Sequence, residues 1–181
     1  MDSAWMNDFC ALLGDRGVRT ARFEFAYMAA RRQGDRRPPP RADTLLNEYV
    51  AAVRSAGVDR LVIGGKSMGG RVATMVADDV GAAGVVCLGY PFHAPGKPEQ
   101  VRTAHLLTMT TPALICQGER DAFGTREELA RYGLPSTIEV RWLADGDHDL
   151  RPRKARSGFT HVDHMATAAN AVAEFTKRVL A

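Results

Sequence analysis

The stretch that most constrains this chain is Gly65-Lys66-Ser67-Met68-Gly69, which joins the apolar run RLVIG to the helix-forming GRVATMVADD. A Gly-x-Ser-x-Gly turn between a strand and a helix makes the serine protrude from sharply turned, strained backbone. A side chain two positions away on either side is expected to collide. The turn also aims the Met68 N–H, at the start of the helix, toward any oxyanion that forms at Ser67. A plain glycine-rich turn with a serine cap is the bland alternative. A phosphate loop is excluded, because Gly-x-x-x-x-Gly-Lys-Ser would put its first glycine at Arg60, inside the strand.

The surrounding pattern says what carries that turn. VRTARFEF (18–25), RLVIGG (60–65), GVVCLGY (84–90), PALICQG (112–118) and TIEVRWL (137–143) read as strands, being short β-branched or apolar runs that end in turn residues. Helical spacing lies between them. Leu45, Leu46, Tyr49, Val50 and Val53 form a stripe within 42–56, and residues 69–79 follow the serine turn. Thr125 with Glu128 makes a capping box. A last helix begins near Thr160, with Val162, Met165, Ala166, Ala169, Val172 and Ala173 expected on its buried face. Apolar strands alternating with amphipathic helices mean an α/β fold, a mostly parallel sheet covered on both faces. At 181 residues this is one domain spanning 1–181, and its ligand loops lie at the carboxyl ends of the strands.

A serine hydroxyl needs a base, usually a histidine oriented by a carboxylate, and in such folds the order is serine, acid, histidine. Of five histidines, only His148 sits just past the last strand, in Leu-Ala-Asp-Gly-Asp-His148-Asp-Leu. His161 and His164 fall at the start of the final helix, where solvated or capping roles are expected. The acid should follow PALICQG, and Asp121 in Gly-Glu-Arg-Asp121-Ala-Phe-Gly suits the position better than Glu119. His93, past the strand ending at Tyr90, comes too early to be the base; it and Tyr27 are expected to contact substrate. Asp145, Asp147 and His148 with His161 and His164 could suggest a metal, but no further ligand spacing supports one. Neither metal nor cofactor is expected.

Several segments together, GGKSMGGRVA, YPFHAPGKPEQVRTAHL, QGERDAFGTREELA and DGDHDLRPRK, resemble the α/β-hydrolases related to testis-expressed protein 30 and to subunit 3 of the NSL chromatin complex. FEFAYMAARR followed by RRPPP is also similar, so the likeness covers nearly the whole chain. The resemblance implies a dienelactone-hydrolase-like fold, with Ser67, Asp121 and His148 as the triad, and it implies no substrate. There is one departure. Such hydrolases usually begin with an apolar strand and a His-Gly-Ala-Gly type loop that supplies a second oxyanion N–H. Here Met1-Asp-Ser-Ala-Trp-Met reads as the segment after that loop, so the chain is expected to be truncated at its N-terminus. The strand thereby lost would lie between VRTARFEF and RLVIGG.

Composition narrows the remaining classes. A net charge of +3 is too small to argue for nucleic acid, and the arginine-rich 31–41 loop carries no aromatic residue for stacking. Arg31, Arg32, Arg36, Arg37 and Arg41 read as a solvated loop in preference to an anionic-substrate contact. No run of 18 apolar residues suggests a membrane span, and MDSAWMNDFCALLGDRG does not read as a signal peptide. Cys10, Cys87 and Cys116 are odd in number and far apart; the latter two read as core, and the cytosol is the expected compartment. The expected partner is a small ester-like molecule, with no nucleic acid and no membrane; homo-oligomerisation stays open. The first reading is a serine hydrolase working through an acyl-enzyme. The second is a non-catalytic interaction module on the same scaffold.

Overall fold

The computed structural model describes residues 3–181; Met1 and Asp2, which open the truncation reading, lie outside the described residues. Four parallel strands form one sheet in the order β1 (Val62–Lys66), β2 (Gly84–Leu88), β3 (Ala113–Gly118), β4 (Ile138–Leu143). Helices α1 (Ala4–Gly14), α2 (Ala26–Arg32) and α3 (Leu46–Ser55, entered through a 3-10 turn at Ala42–Leu45) precede β1. Helix α4 (Met68–Val76) links β1 to β2, and a 3-10 turn at Ala104–Leu107 lies between β2 and β3. Helix α5 (Arg126–Leu129) follows β3, while α6 (Lys154–Ser157) and α7 (His161–Leu180) follow β4.

Successive strand residues point to opposite faces, and the core divides accordingly. Val85, Cys87, Ala113 and Ile115 pack toward α3 and α4, whereas Val86, Leu88, Leu114 and Cys116 pack toward α1 and α7. Both central strands are buried along their whole length, which is why they read as unbroken apolar runs. Cys87 and Cys116 are core residues, as their apolar surroundings suggest. Each fully buried Val or Leu contributes about 1.5–3 kcal/mol, so the two faces together hold the loops in register.

Two expectations about elements are corrected. Residues 18–25 are not a strand: they run without ladder hydrogen bonds, because no described strand lies beside them. Their alternating aromatics serve packing instead. Phe23 and Phe25 both contact the Tyr49 ring, and Phe25 is buried against the α3–α4 face. Tyr49 also finishes the outer edge of β1, since its hydroxyl donates to the Gly64 carbonyl at 2.7 Å and accepts from the Gly64 N–H at 2.9 Å. On α7 the buried face is His164, Met165, Ala168, Ala169, Val172 and Phe175, and Val162 is 72% exposed.

Candidate active site

The site is assembled where three parallel strands end. Ser67 leaves β1 with φ 52° and ψ −117°, a left-handed strain that a non-glycine residue tolerates only when the surroundings enforce it. The enforcement is visible on both sides: the Ser67 N–H continues the sheet to the Leu88 carbonyl, and its own carbonyl accepts from the Arg71 N–H, starting α4. The glycine requirement proves one-sided. A Cβ on Gly65 would stand 2.8 Å from the Gly69 carbonyl carbon, whereas one on Gly69 would meet nothing within 4 Å. The Met68 N–H belongs to the first turn of α4, where helix N–H groups have no intrahelical acceptor.

Asp121 lies on the turn after β3 and is 0% exposed. Its Oδ1 accepts from the Phe123 N–H at 2.9 Å and its Oδ2 from the Gln117 side-chain amide at 2.9 Å. His148 lies on the loop after β4. Its Nδ1 is 2.8 Å from Asp121 Oδ2, and its Nε2 is 2.8 Å from Ser67 Oγ. With the carboxylate accepting at Nδ1–H, the ring presents an unprotonated Nε2 to the hydroxyl, the tautomer a base requires. The Phe123 ring stacks on His148 at 4.2 Å between centroids and limits its swing. The two loops meet backbone to backbone: a Cβ on Gly118 would fall 2.3 Å from the Gly146 carbonyl oxygen. That close approach brings the loop of Asp121 against the loop of His148.

The other acidic residues near His148 are engaged elsewhere. Asp147 accepts from the backbone N–H groups of Asp149 and Arg151. The Arg153 guanidinium holds the Asp145 carboxyl well below the usual carboxylate range. Glu119, the rival for the acid position, pairs with Arg126 and accepts from the Asp145 N–H. His161 and His164 hold the loop after His148, their ring nitrogens lying 3.1 Å from the Asp149 carbonyl and 3.0 Å from the Leu150 carbonyl. His164 is 3% exposed, so of the solvated or capping roles expected for it the solvated one is overturned by burial under this loop.

The two expected substrate contacts are placed differently from the triad residues. His93 is 3% exposed, with Nδ1 2.8 Å from the Ala94 carbonyl and Nε2 3.2 Å from Glu128 Oε2. It ties the segment after β2 to the capping box of α5. Tyr27 sits half-buried on α2, stacked on Phe25. The arginines of the 31–41 loop mostly face solvent, where Arg37 pairs with Asp35 and Arg41 with Asp43. Sequence reasoning missed Gln117, whose fully buried amide accepts from the Tyr90 N–H while donating to the Tyr90 carbonyl, Asp121 and the Gly124 carbonyl. Its signal was available: a lone polar residue in the apolar run PALICQG must have a local partner.

A strand–Ser turn–helix, followed by Asp and His loops in that order on a parallel sheet, is the arrangement of one hydrolase architecture, and the sequence agrees. A family model described as an alpha/beta hydrolase domain matches residues 1–177. The chain belongs to this alpha/beta hydrolase family. Among solved structures it is similar to the esterase domain of a Rhodothermus marinus protein, at 17% identity and a TM-score of 0.66 over 96% of this chain and 79% of that one. It is also similar to an alpha-beta serine hydrolase homologue from Coxiella burnetii, at 18% identity and a TM-score of 0.64 over 98% of this chain and 76% of that one. Among the described residues of this hydrolase no helix is long and apolar enough to cross a membrane.

Proposed function

We propose that this protein is a serine hydrolase that cleaves a small carboxylic ester, thioester or lactone through an acyl-enzyme on Ser67. The observation that carries the reading is the unbroken relay from Asp121 Oδ2 through His148 to Ser67 Oγ, both links at 2.8 Å. The esterase and serine hydrolase neighbours, and the resemblance of several sequence segments to the testis-expressed protein 30 and NSL subunit 3 group, support it.

In this mechanism Ser67 Oγ attacks the carbonyl carbon while His148 Nε2 takes its proton. Asp121 stabilises the resulting imidazolium and keeps Nδ1–H aligned. The carbonyl oxygen becomes an oxyanion and meets the Met68 N–H, aided by the positive end of α4. Collapse breaks the bond to the leaving alkoxide or thiolate, which receives the proton from His148. Water, deprotonated by His148, then attacks the acyl carbon; the bond to Ser67 Oγ breaks, His148 returns its proton to that oxygen, and the carboxylic acid leaves. Tyr27 is assigned to the acyl-chain wall, and His93, through Glu128, to fixing the loop beside it.

The test is intact-mass detection of a fluorophosphonate adduct on folded protein, with Ser67→Ala as control. One Ser67-dependent adduct is expected; its absence from folded protein would overturn the reading. Equal hydrolysis of p-nitrophenyl acetate by the protein and by Ser67→Ala would point instead to a non-catalytic interaction module.

A further inference from the structure

Arg71, in the first turns of α4, and Arg102, after β2, are two cations that the relay does not use. Arg71 is one helical turn past Ser67, its N–H donating to the Ser67 carbonyl at 3.0 Å. Helical side chains lean toward the N-terminus, which for Arg71 is the turn that carries Ser67. Three side chains bind the Arg71 backbone to that of Arg102. Thr74 Oγ1 donates to the Arg71 carbonyl at 2.7 Å and lies 2.9 Å from His105 Nε2. The Tyr90 hydroxyl donates to the Arg102 carbonyl at 3.0 Å and lies 3.3 Å from the same nitrogen. Since both hydroxyl hydrogens are engaged, His105 carries its proton on Nε2 and donates to both.

The charges in this corner are unbalanced. Arg71 Nε is enclosed and has no hydrogen-bond partner, and neither guanidinium has a carboxylate partner among the described residues. Burial and the Arg71 charge together pull Arg102 below its ordinary value. Asp78, just past the end of α4, is occupied: its oxygens accept from the Thr110 N–H, the Thr111 N–H and the Thr111 hydroxyl. By contrast Arg120, Arg126 and Arg153 all face carboxylates. Two adjoining, partly desolvated cations without a counter-charge repel, and an incoming anion relieves that cost.

We propose that Arg71 and Arg102 form the seat for an anionic group, a carboxylate or a phosphate, carried by the substrate of the Ser67 site. This rests on the hydrolase reading above and adds a substrate class to it. Guanidinium forks match the planar oxygens of a carboxylate and the oxygens of a phosphate, and the Arg71 backbone is bonded directly to that of Ser67.

Two measurements on the full chain test it. Calorimetric titration of Ser67→Ala with adipate and with inorganic phosphate reads the seat without any chemistry. One of the two anions is expected to bind at a single site, and adding Arg102→Gln or Arg71→Gln should weaken it about 10-fold or more. The anion that binds more tightly identifies the group. With unsubstituted protein, kcat/KM for mono-4-nitrophenyl adipate should exceed that for 4-nitrophenyl hexanoate by about 10-fold, and this ratio should fall toward 1 in Arg102→Gln. If phosphate is the anion preferred, the esters are replaced by a matched pair with and without a terminal phosphate. Binding of neither anion, or binding indifferent to both arginines, overturns the proposal. Arginine-dependent binding with no hydrolysis of any ester would sink the hydrolase reading and leave the anion seat standing.

Discussion

Lys66 Nζ and Asp149 Oδ1 stand 2.6 Å apart, so the residue before Ser67 is tied directly to the residue after His148. Trp5 extends the tie from α1: its indole N–H donates to the Asp149 carbonyl at 3.1 Å, and the Lys66 ammonium lies 5.6 Å from its ring centroid. The Lys66 hydrogen bond pulls the Asp149 carboxyl below its ordinary value. The Asp149 side chain is 52% exposed, so the pair adds little to stability. Its effect is on geometry. Asp149→Asn should lower kcat/KM about 3- to 10-fold while moving Tm by under about 2 °C. High salt should bring the unsubstituted enzyme toward the variant, because the pair is screened. A Tm drop that accounts for all lost activity would count against this.

Asp121→Asn tests the acid through the tautomer. Its amide would turn an N–H toward His148 Nδ1, leaving the proton on Nε2, where it cannot accept from Ser67. Ester hydrolysis should fall by roughly 10³–10⁴ with little change in circular dichroism. A loss under tenfold would mean another group orients the ring.

Gln117→Leu should separate support from chemistry. The substitution leaves the Tyr90 N–H and Asp121 Oδ2 each short of a partner in a fully buried place. A cost of about 2–4 kcal/mol in urea unfolding is expected. The surviving folded fraction should also react more slowly with a fluorophosphonate, since Asp121 loses one of its fixed donors.

Gly118→Ala should be among the most disruptive single methyl additions. The new Cβ would meet the Gly146 carbonyl at 2.3 Å, and both partners are backbone. The loops carrying Asp121 and His148 must then part, so activity should be lost along with stability. Gly69→Ala is the matched control, because open space surrounds that position and unfolding should shift by under about 1 kcal/mol.

His105 makes stability depend on pH in a defined window. Burial and the Arg71 charge lower its pKa from 6.5 to about 4. Between those values the unfolded chain binds a proton that the native one refuses. Stability is therefore full above about 6.5 and is lost as the pH falls toward 4; because the ring is partly exposed, solvent screening holds the loss to about 2 kcal/mol or less. Asp78 falls outside this window: burial raises it, but its Thr111 and Thr110 donors prevail and hold it at about 2. Urea midpoints between pH 7 and pH 5 should slope for the natural protein and flatten for His105→Gln. Equal slopes would refute the assignment.

The amino-acid sequence by itself determined what depends on neighbours along the chain. The serine turn, the Thr125 and Thr160 helix starts, the buried central strands and the order Ser67, Asp121, His148 were all legible, because turn strain, capping and apolar runs act within a few residues. Residues 18–25 show where that ends: the pattern was extended and aromatic, but a strand exists only with a partner, and no described strand pairs there. It took the folded chain to bring Lys66 to Asp149, to set Gln117 against Asp121, and to leave Arg71 and Arg102 near one another with no carboxylate partner among the described residues. Those relationships join residues from different elements and loops, and a parallel sheet brings them together only once its crossovers have closed.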